Sequence, residues 1–273
     1  DTITAQLYTI LVSSHKGDLM RLGVKVAAAA SLTVLLVMNF SQGCSKSRNK
    51  TSGSSTASSS SASKSSCATP AGFSGSPKTI EEAIAMINAL PKPVAVGCFL
   101  ESLKRPLGVT MTSSLISAQP ANIGDNLRNP RVFILGDPLT ISIVPAGVGS
   151  EVIEFGVMVG DSSIKGELAF PVIEKLLPTA AYDKIRFGNG TACQVCHKNE
   201  TRALEITQGE AFRSGAIRPK PETKVALESI KLEWLSCDKI VEPKRCEILR
   251  GLFDHGEVRD KEFPPELPTI SFN

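Results

Sequence analysis

Histidine is scarce in this chain, whose 273 residues contain only His15, His197 and His255. No histidine lies between positions 16 and 196, so a serine or cysteine nucleophile in that stretch would lack the base that usually activates it. The stretch also lacks the motifs G-x-S-x-G, H-E-x-x-H and G-x-G-x-x-G, and it has no phosphate-binding loop. The central part of the sequence therefore offers no catalytic constellation.

The chain also has no large excess of charge, since it contains 30 Lys and Arg residues and 27 Asp and Glu residues, for a formal net charge of +3. This balance does not indicate a nucleic-acid partner. With 42% hydrophobic residues, the chain has enough apolar content for one sizeable core or two small ones.

The apolar run over residues 26–38 is too short to span a bilayer comfortably, but it has the setting of a secretory signal peptide. Met20 precedes a basic region with Arg21 and Lys25, and the apolar run follows directly. We therefore expect residues 20–43 to be a signal peptide and residues 1–19 to be an over-extended reading of the gene.

One short run of residues indicates a chemistry, the C-x-x-C-H motif Cys193-Gln194-Val195-Cys196-His197. Two thiols at this spacing can both reach the vinyl groups of one haem, and the histidine that follows can bind the iron. Two other interpretations use the same cysteines. They are one half of a zinc site completed by Cys237 and Cys246, or a dithiol redox pair.

Around this motif the sequence resembles the c-type cytochromes. The resemblance implies one covalent haem c, held by thioethers at Cys193 and Cys196, with His197 as an axial iron ligand. For the sixth ligand, His255 is the only other histidine after the signal peptide. An open position is an alternative, and so is a methionine, from Met86, Met111 or Met158.

A second resemblance, to bacterial lipoproteins, begins at Gly43 and Cys44, where a small residue precedes a cysteine. It implies acylation of Cys44 and contact with the lipid bilayer, with unlipidated cleavage nearby as the alternative. Residues 45–66 contain twelve serines, four Lys or Arg residues and no acidic residue, so residues 44–66 are predicted to be a lipid anchor and a disordered tether. Ser45 stands where enterobacterial lipoproteins retained at the inner membrane have an aspartate. We therefore expect a cell-envelope lipoprotein that faces the periplasm, at the outer membrane.

The pattern of residues 67–178 predicts a helix followed by an antiparallel β module. Thr79-Ile80-Glu81-Glu82 is typical of a capping box, and the apolar positions after it recur at helical spacing up to Pro91. Short β-branched-rich runs then predict five strands, at Leu107–Ile116, Arg131–Gly136, Leu139–Val144, Val152–Val159 and Ile164–Phe170. Residues 179–273 are predicted to be a mostly helical segment that carries the haem, and the fold class is α+β.

The fourth predicted strand is informative about the two faces of the sheet. Ile153 and Phe155 share one face, whereas Glu154 and Met158 share the other. The second face is therefore either wet or covered by another segment of the chain.

Four cysteines remain after the lipid and the haem are assigned, namely Cys67, Cys98, Cys237 and Cys246. An even remainder suits an oxidising compartment. Three pairings are possible, and proximity along the chain favours Cys67 with Cys98 and Cys237 with Cys246.

These observations lead to three functional hypotheses. The first is a membrane-tethered, periplasm-facing cytochrome that passes single electrons to an unidentified redox partner protein. The second is a haem enzyme or a sensor of peroxide or a diatomic gas, with an open iron site. The third is a non-catalytic envelope protein whose cysteines are only structural.

Overall fold

The computed structural model describes residues 66–113 and 128–269. The predicted signal peptide, Cys44 and the serine-rich tether up to residue 65 lie outside these residues. Within the described ranges, no helix is both long enough and apolar enough to cross a membrane.

The described residues contain five α-helices, most of them C-terminal to the main strands. They are α1 (Ile80–Ala89), α2 (Val96–Glu101), α3 (Ala180–Lys184), α4 (Leu227–Leu235) and α5 (Pro243–Phe253). Helix α1 begins as its sequence predicts, because the Thr79 hydroxyl accepts a hydrogen bond from the Glu82 backbone N–H at 3.2 Å. The Glu82 carboxylate reaches one residue further back than a capping box requires and accepts from the Lys78 N–H at 2.7 Å.

One mostly antiparallel sheet of eight strands dominates the fold. Its strands are β1 (Leu107–Thr112), β2 (Arg131–Leu135), β3 (Leu139–Ile143), β4 (Val152–Val159), β5 (Ser162–Ala169), β8 (Thr201–Arg202), β9 (Phe212–Gly215) and β10 (Val258–Asp260). The spatial order is β10-β1-β2-β3-β4-β5-β9-β8, and only the β1–β10 pair is parallel. A separate small hairpin joins β6 (Arg186–Phe187) to β7 (Gly190–Thr191).

The predicted α+β class with an antiparallel sheet is confirmed. All five predicted strands are present, as β1 to β5, with small differences at their ends. The predicted end of the first strand, at Ile116, lies outside the described residues. The sheet is wider than expected because residues 179–273 add three strands to its two edges, in addition to their helices. Both predicted segments therefore contribute to one sheet.

The first face of the sheet carries the hydrophobic core. Strand residues such as Val109, Ile141 and Phe155 are buried there against helices α1, α2 and α5. The rings of Phe99 in α2 and Phe155 in β4 meet edge to face, with centroids 6.5 Å apart. Helices α1, α2 and α5 thus cover this face, and the other face is covered by parts of the chain between and after the C-terminal helices.

Two disulfides fasten the helical layer. Cys67 is bonded to Cys98 in α2, and Cys237, just after α4, is bonded to Cys246 in α5. This is the pairing that proximity along the chain favours. Cys237 and Cys246 are therefore not available as thiolate ligands for a zinc ion at the C-x-x-C-H motif.

Candidate functional site

The C-x-x-C-H motif begins directly after the β6–β7 hairpin. Gly188 in the hairpin turn has φ of 58°, a backbone conformation that glycine adopts easily. The Thr191 hydroxyl caps the following 3₁₀ turn (Ala192–Val195) by accepting from the Cys193 N–H at 3.2 Å. The Glu200 carboxylate in turn accepts from the Thr191 N–H at 2.7 Å and from its hydroxyl. The motif is thus held at its start by a buried threonine and a carboxylate.

Glycine at position 190 leaves room for this carboxylate. A Cβ atom at Gly190 would lie 2.3 Å from Glu200 Oε1, far closer than two such atoms can approach. A side chain there would displace Glu200 from Thr191. The glycine-rich turn before the motif therefore has a packing reason as well as a conformational one.

His197 is oriented by a hydrogen bond to the edge of the sheet. Its Nδ1 lies 3.0 Å from the Gly215 carbonyl oxygen in β9, so Nδ1 carries the proton and donates it. Burial, together with the nearby Lys165 charge, lowers the pKa of His197 to about 4. The imidazole is therefore neutral at pH 7, with the Nε2 lone pair available to a metal ion. Metal-bound histidines commonly have this type of hydrogen bond at the second nitrogen.

Cys193 and Cys196 are not joined to each other, and both are partly buried. Burial raises the pKa of the Cys193 thiol, so it is protonated at neutral pH. Reactive dithiol redox pairs have the opposite property, a lowered thiol pKa. Among the described residues, no group of three or more His, Cys, Asp or Glu side chains is placed to hold a metal ion. In its raised pKa, the Cys193 thiol differs from the reactive thiol of a dithiol redox pair.

The two cysteines and His197 line a cavity of about 340 Å³ over the second face of the sheet. Strands β1 to β5 form its floor, and the motif, residues 216–219 and two residues near the C-terminus, Phe263 and Leu267, form its cover. Phe263 contacts the floor directly, because its ring meets the ring of Phe133 in β2 with centroids 5.2 Å apart. The second sheet face is therefore covered, one of the two outcomes expected from the pattern of β4. The cavity has the size of a small-molecule or cofactor site.

Charged groups lie on the floor of this cavity. Arg131 donates to the Ser142 hydroxyl at 2.6 Å and to the Glu154 carboxylate, and its guanidinium lies 5.0 Å from the centre of the Phe133 ring. The other carboxylate oxygen of Glu154, Oε1, is buried without a hydrogen-bond partner in the described residues. Glu167, directly opposite Glu154 in the β4–β5 pairing, has a raised pKa because it is buried and close to Glu154.

Lys165 is the second cation of the floor. Its Nζ lies over Gly156 in β4, where a Cβ atom would be 3.7 Å away. Burial lowers the pKa of Lys165 to about 8. Glycine inside a strand often marks a place where a ligand approaches the backbone closely. A side chain larger than glycine at position 156 would fill the middle of the floor.

The lining fits a haem in three respects. Cys193, Cys196 and His197 all line the same cavity. Phe133, Phe263 and Leu267 offer apolar and aromatic surface to a macrocycle. Arg131 offers positive charge to its carboxylates.

The structure does not bring the predicted sixth ligand His255 to this cavity. His255 follows α5, where its Nε2 lies 3.5 Å from the Glu101 carboxylate at the end of α2. Met86 and Met111 are buried in the core, on the other side of the sheet. Met158 in β4 does line the cavity, so it is the methionine that shares this cavity with the motif.

Sequence reasoning missed Lys165, Arg131 and Glu167 as site residues. Two features of β4 could have indicated a site on this face of the sheet. The alternation places Glu154 and Met158 on a face that is not core, and a glycine stands between them at position 156. The neighbouring strands contribute to the same face only through their register, in which Gly156 pairs with Lys165.

No family model matches this chain, and neither a curated protein nor a solved structure does so.

Proposed function

We propose that this protein binds one haem c covalently in the cavity over the second sheet face and uses it for one-electron transfer. The observation that carries the proposal is the joint position of Cys193, Cys196 and His197 on one cavity, with the imidazole Nδ1 held by the Gly215 carbonyl. When bound, the haem supplies the one-electron redox chemistry.

The residues of the chain have separate tasks in this proposal. Cys193 and Cys196 would hold the group through two thioethers, each made by addition of one S–H across one vinyl C=C bond. His197 would bind the iron through Nε2, because Nδ1 carries the proton and donates it to the Gly215 carbonyl. Burial keeps the imidazole neutral, so no proton has to be displaced when the metal binds.

The proposed location follows from the sequence alone. We propose a cell-envelope lipoprotein that is acylated at Cys44, faces the periplasm at the outer membrane and passes electrons to a redox partner protein. The signal-like residues 20–43 and the serine-rich tether support this part of the proposal. Mass spectrometry of the mature N-terminus tests it, and an unmodified start at another residue contradicts it.

A second candidate function is an iron site that reacts with a small molecule. Two observations favour it. His255 is paired with Glu101 away from the cavity, and the floor carries the ionisable groups Glu154, Lys165 and Glu167. Such groups can bind a polar ligand or transfer a proton to it.

The deciding experiment is the haem content of the denatured protein after maturation in a host competent for c-type haem attachment. Wild type should keep its haem stain, and Cys193→Ala with Cys196→Ala should lose it. Val195→Ala is a matched control, because this side chain lies inside the motif but is 78% exposed. A wild-type chain that folds and runs unstained contradicts the proposal.

In the same preparation, the spectrum separates the two candidate functions. A low-spin protein that binds carbon monoxide poorly is expected of an electron carrier. A high-spin protein that binds carbon monoxide rapidly is expected of the open site.

A further inference from the structure

Lys165 differs from the other cation on the cavity floor in having no partner. Arg131 is paired with the Glu154 carboxylate and the Ser142 hydroxyl. The ammonium of Lys165, in contrast, makes no hydrogen bond or salt bridge to any of the described residues, although it lies in the middle of the floor over Gly156. Lysine is rarely placed in such a position without a partner, because desolvation of an unpaired charge is costly.

A second donor without a partner lies beside it. The Ser163 hydroxyl is buried, at 2% exposure, and has no hydrogen-bond partner in the described residues. Ser163 and Lys165 are two positions apart on β5, so both point to the same side of the sheet, and both line the cavity. The fold therefore presents an ammonium and a hydroxyl side by side, each with unused donors.

The other charged groups around Lys165 do not neutralise it. Glu154 acts on the charge of Lys165, and its own charge is matched by Arg131. Burial and the neighbouring Glu154 raise the pKa of Glu167, burial raises that of the Cys193 thiol, and that of His197 is lowered, which makes the imidazole neutral. Lys184 is exposed at the rim. Lys165 is therefore the cation of the floor that forms no ion pair among the described residues.

We propose that Lys165 and the Ser163 hydroxyl form an anion-binding subsite, and that this subsite selects small anions as ligands of the cavity. The inference rests on the proposed haem and deepens the second candidate function, since it names the class of ligand. An anion next to Lys165 receives a charge-assisted hydrogen bond, which a neutral ligand does not receive.

The test uses the matured, haem-loaded protein with azide as the anionic probe and carbon monoxide as the neutral probe. Azide affinity is measured on the ferric protein, and carbon monoxide affinity on the ferrous protein, both from the shift of the Soret band. Lys165→Met should weaken azide binding roughly 10- to 100-fold, the scale of one charge-assisted hydrogen bond, and change carbon monoxide binding little. Lys184→Met is the matched control, because it removes an exposed lysine from the rim of the same cavity.

The pH dependence provides a second readout. Wild-type azide affinity should fall as pH rises through about 8, because Lys165 loses its proton there. Lys165→Met should remove that fall, and Lys165→Arg should retain binding at higher pH because the guanidinium stays charged.

The outcomes separate the inference from the proposed function. A chain without covalent haem contradicts the proposed function itself. A haem-bearing wild type that binds neither probe, or one whose azide affinity is the same in Lys165→Met, overturns the anion subsite and leaves haem attachment intact. Unchanged azide affinity together with a shifted midpoint potential in Lys165→Met would assign this lysine to the carboxylates of the haem, which also overturns the inference.

Discussion

The Arg131–Glu154 pair on the cavity floor allows a quantitative prediction about stability. Arg131→Met removes the guanidinium but keeps most of the apolar volume, and Glu154 then loses its charged partner. Its side chain is 23% exposed and that of Arg131 is 13% exposed, so the carboxylate would remain largely desolvated. Breaking a fully buried pair costs roughly 3 to 5 kcal/mol, and we expect about 2 to 3 kcal/mol here because water still reaches the pair.

The assay is urea unfolding of wild type, Arg131→Met, Glu154→Gln and the double variant, combined in a double-mutant cycle. Arg131→Met also loses the contact with the Phe133 ring. The single and the double variant share this loss, so it cancels in the coupling energy. We expect a coupling energy of roughly 1 to 2 kcal/mol, because the double variant leaves no unpaired charge.

Arg259 and Glu257 provide the control, since they form a pair whose side chains are 60% and 57% exposed. Their coupling energy should be far smaller than that of Arg131 and Glu154, because water and salt screen charges at the exposed surface. If the coupling energy of Arg131 and Glu154 is no larger than that of Arg259 and Glu257, the inference that the cavity floor shields its charges from water is wrong.

Two further predictions concern the core and the pH dependence of stability. Gly251→Ala should destabilise the protein by at least about 2 kcal/mol in urea unfolding, because a Cβ atom there would lie 2.3 Å from the Gly97 carbonyl oxygen where α5 crosses α2. Gly156→Ala is the control with ordinary contacts, and an equal loss in both variants would refute the steric argument. Lys165→Met should change how stability depends on pH. The pKa of Lys165 is lowered from 10.5 to about 8 in the folded protein, so the unfolded chain binds more protons between these values. Wild type should therefore gain roughly 1 to 3 kcal/mol relative to Lys165→Met as pH rises from 8 to 10.5, and parallel curves for the two proteins would contradict the burial of this lysine.

Several parts of the fold could be predicted because their signals are local. The capping residues of α1 and the apolar repeat after Thr79 act within a few turns of chain. Strands β1 to β5 alternate between core and non-core positions, and turn residues separate them. The two disulfides join cysteines that lie close along the chain, at separations of 31 and 9 residues.

The edge strands could not be predicted because they have little sequence signal of their own. Strands β8 and β10 have two and three residues, too few to show an alternation. They form because the edges of the larger sheet offer unpaired backbone groups, and those edges exist only after β1 to β5 have assembled.

The chemistry open to the motif could be inferred from the sequence, because two thiols and an imidazole at this spacing are a local property of five residues. The alternation in β4 likewise indicated that one face of the sheet is not core. The residues that share the cavity with the motif, in contrast, depend on the tertiary fold. Lys165 and Glu154 come to the same cavity as His197 through strand register and through the fold of residues 216–219 over the sheet, while His255 is held at Glu101 by the position of α5. These are long-range relations, set by packing between segments far apart in the chain, and no short stretch of sequence contains them.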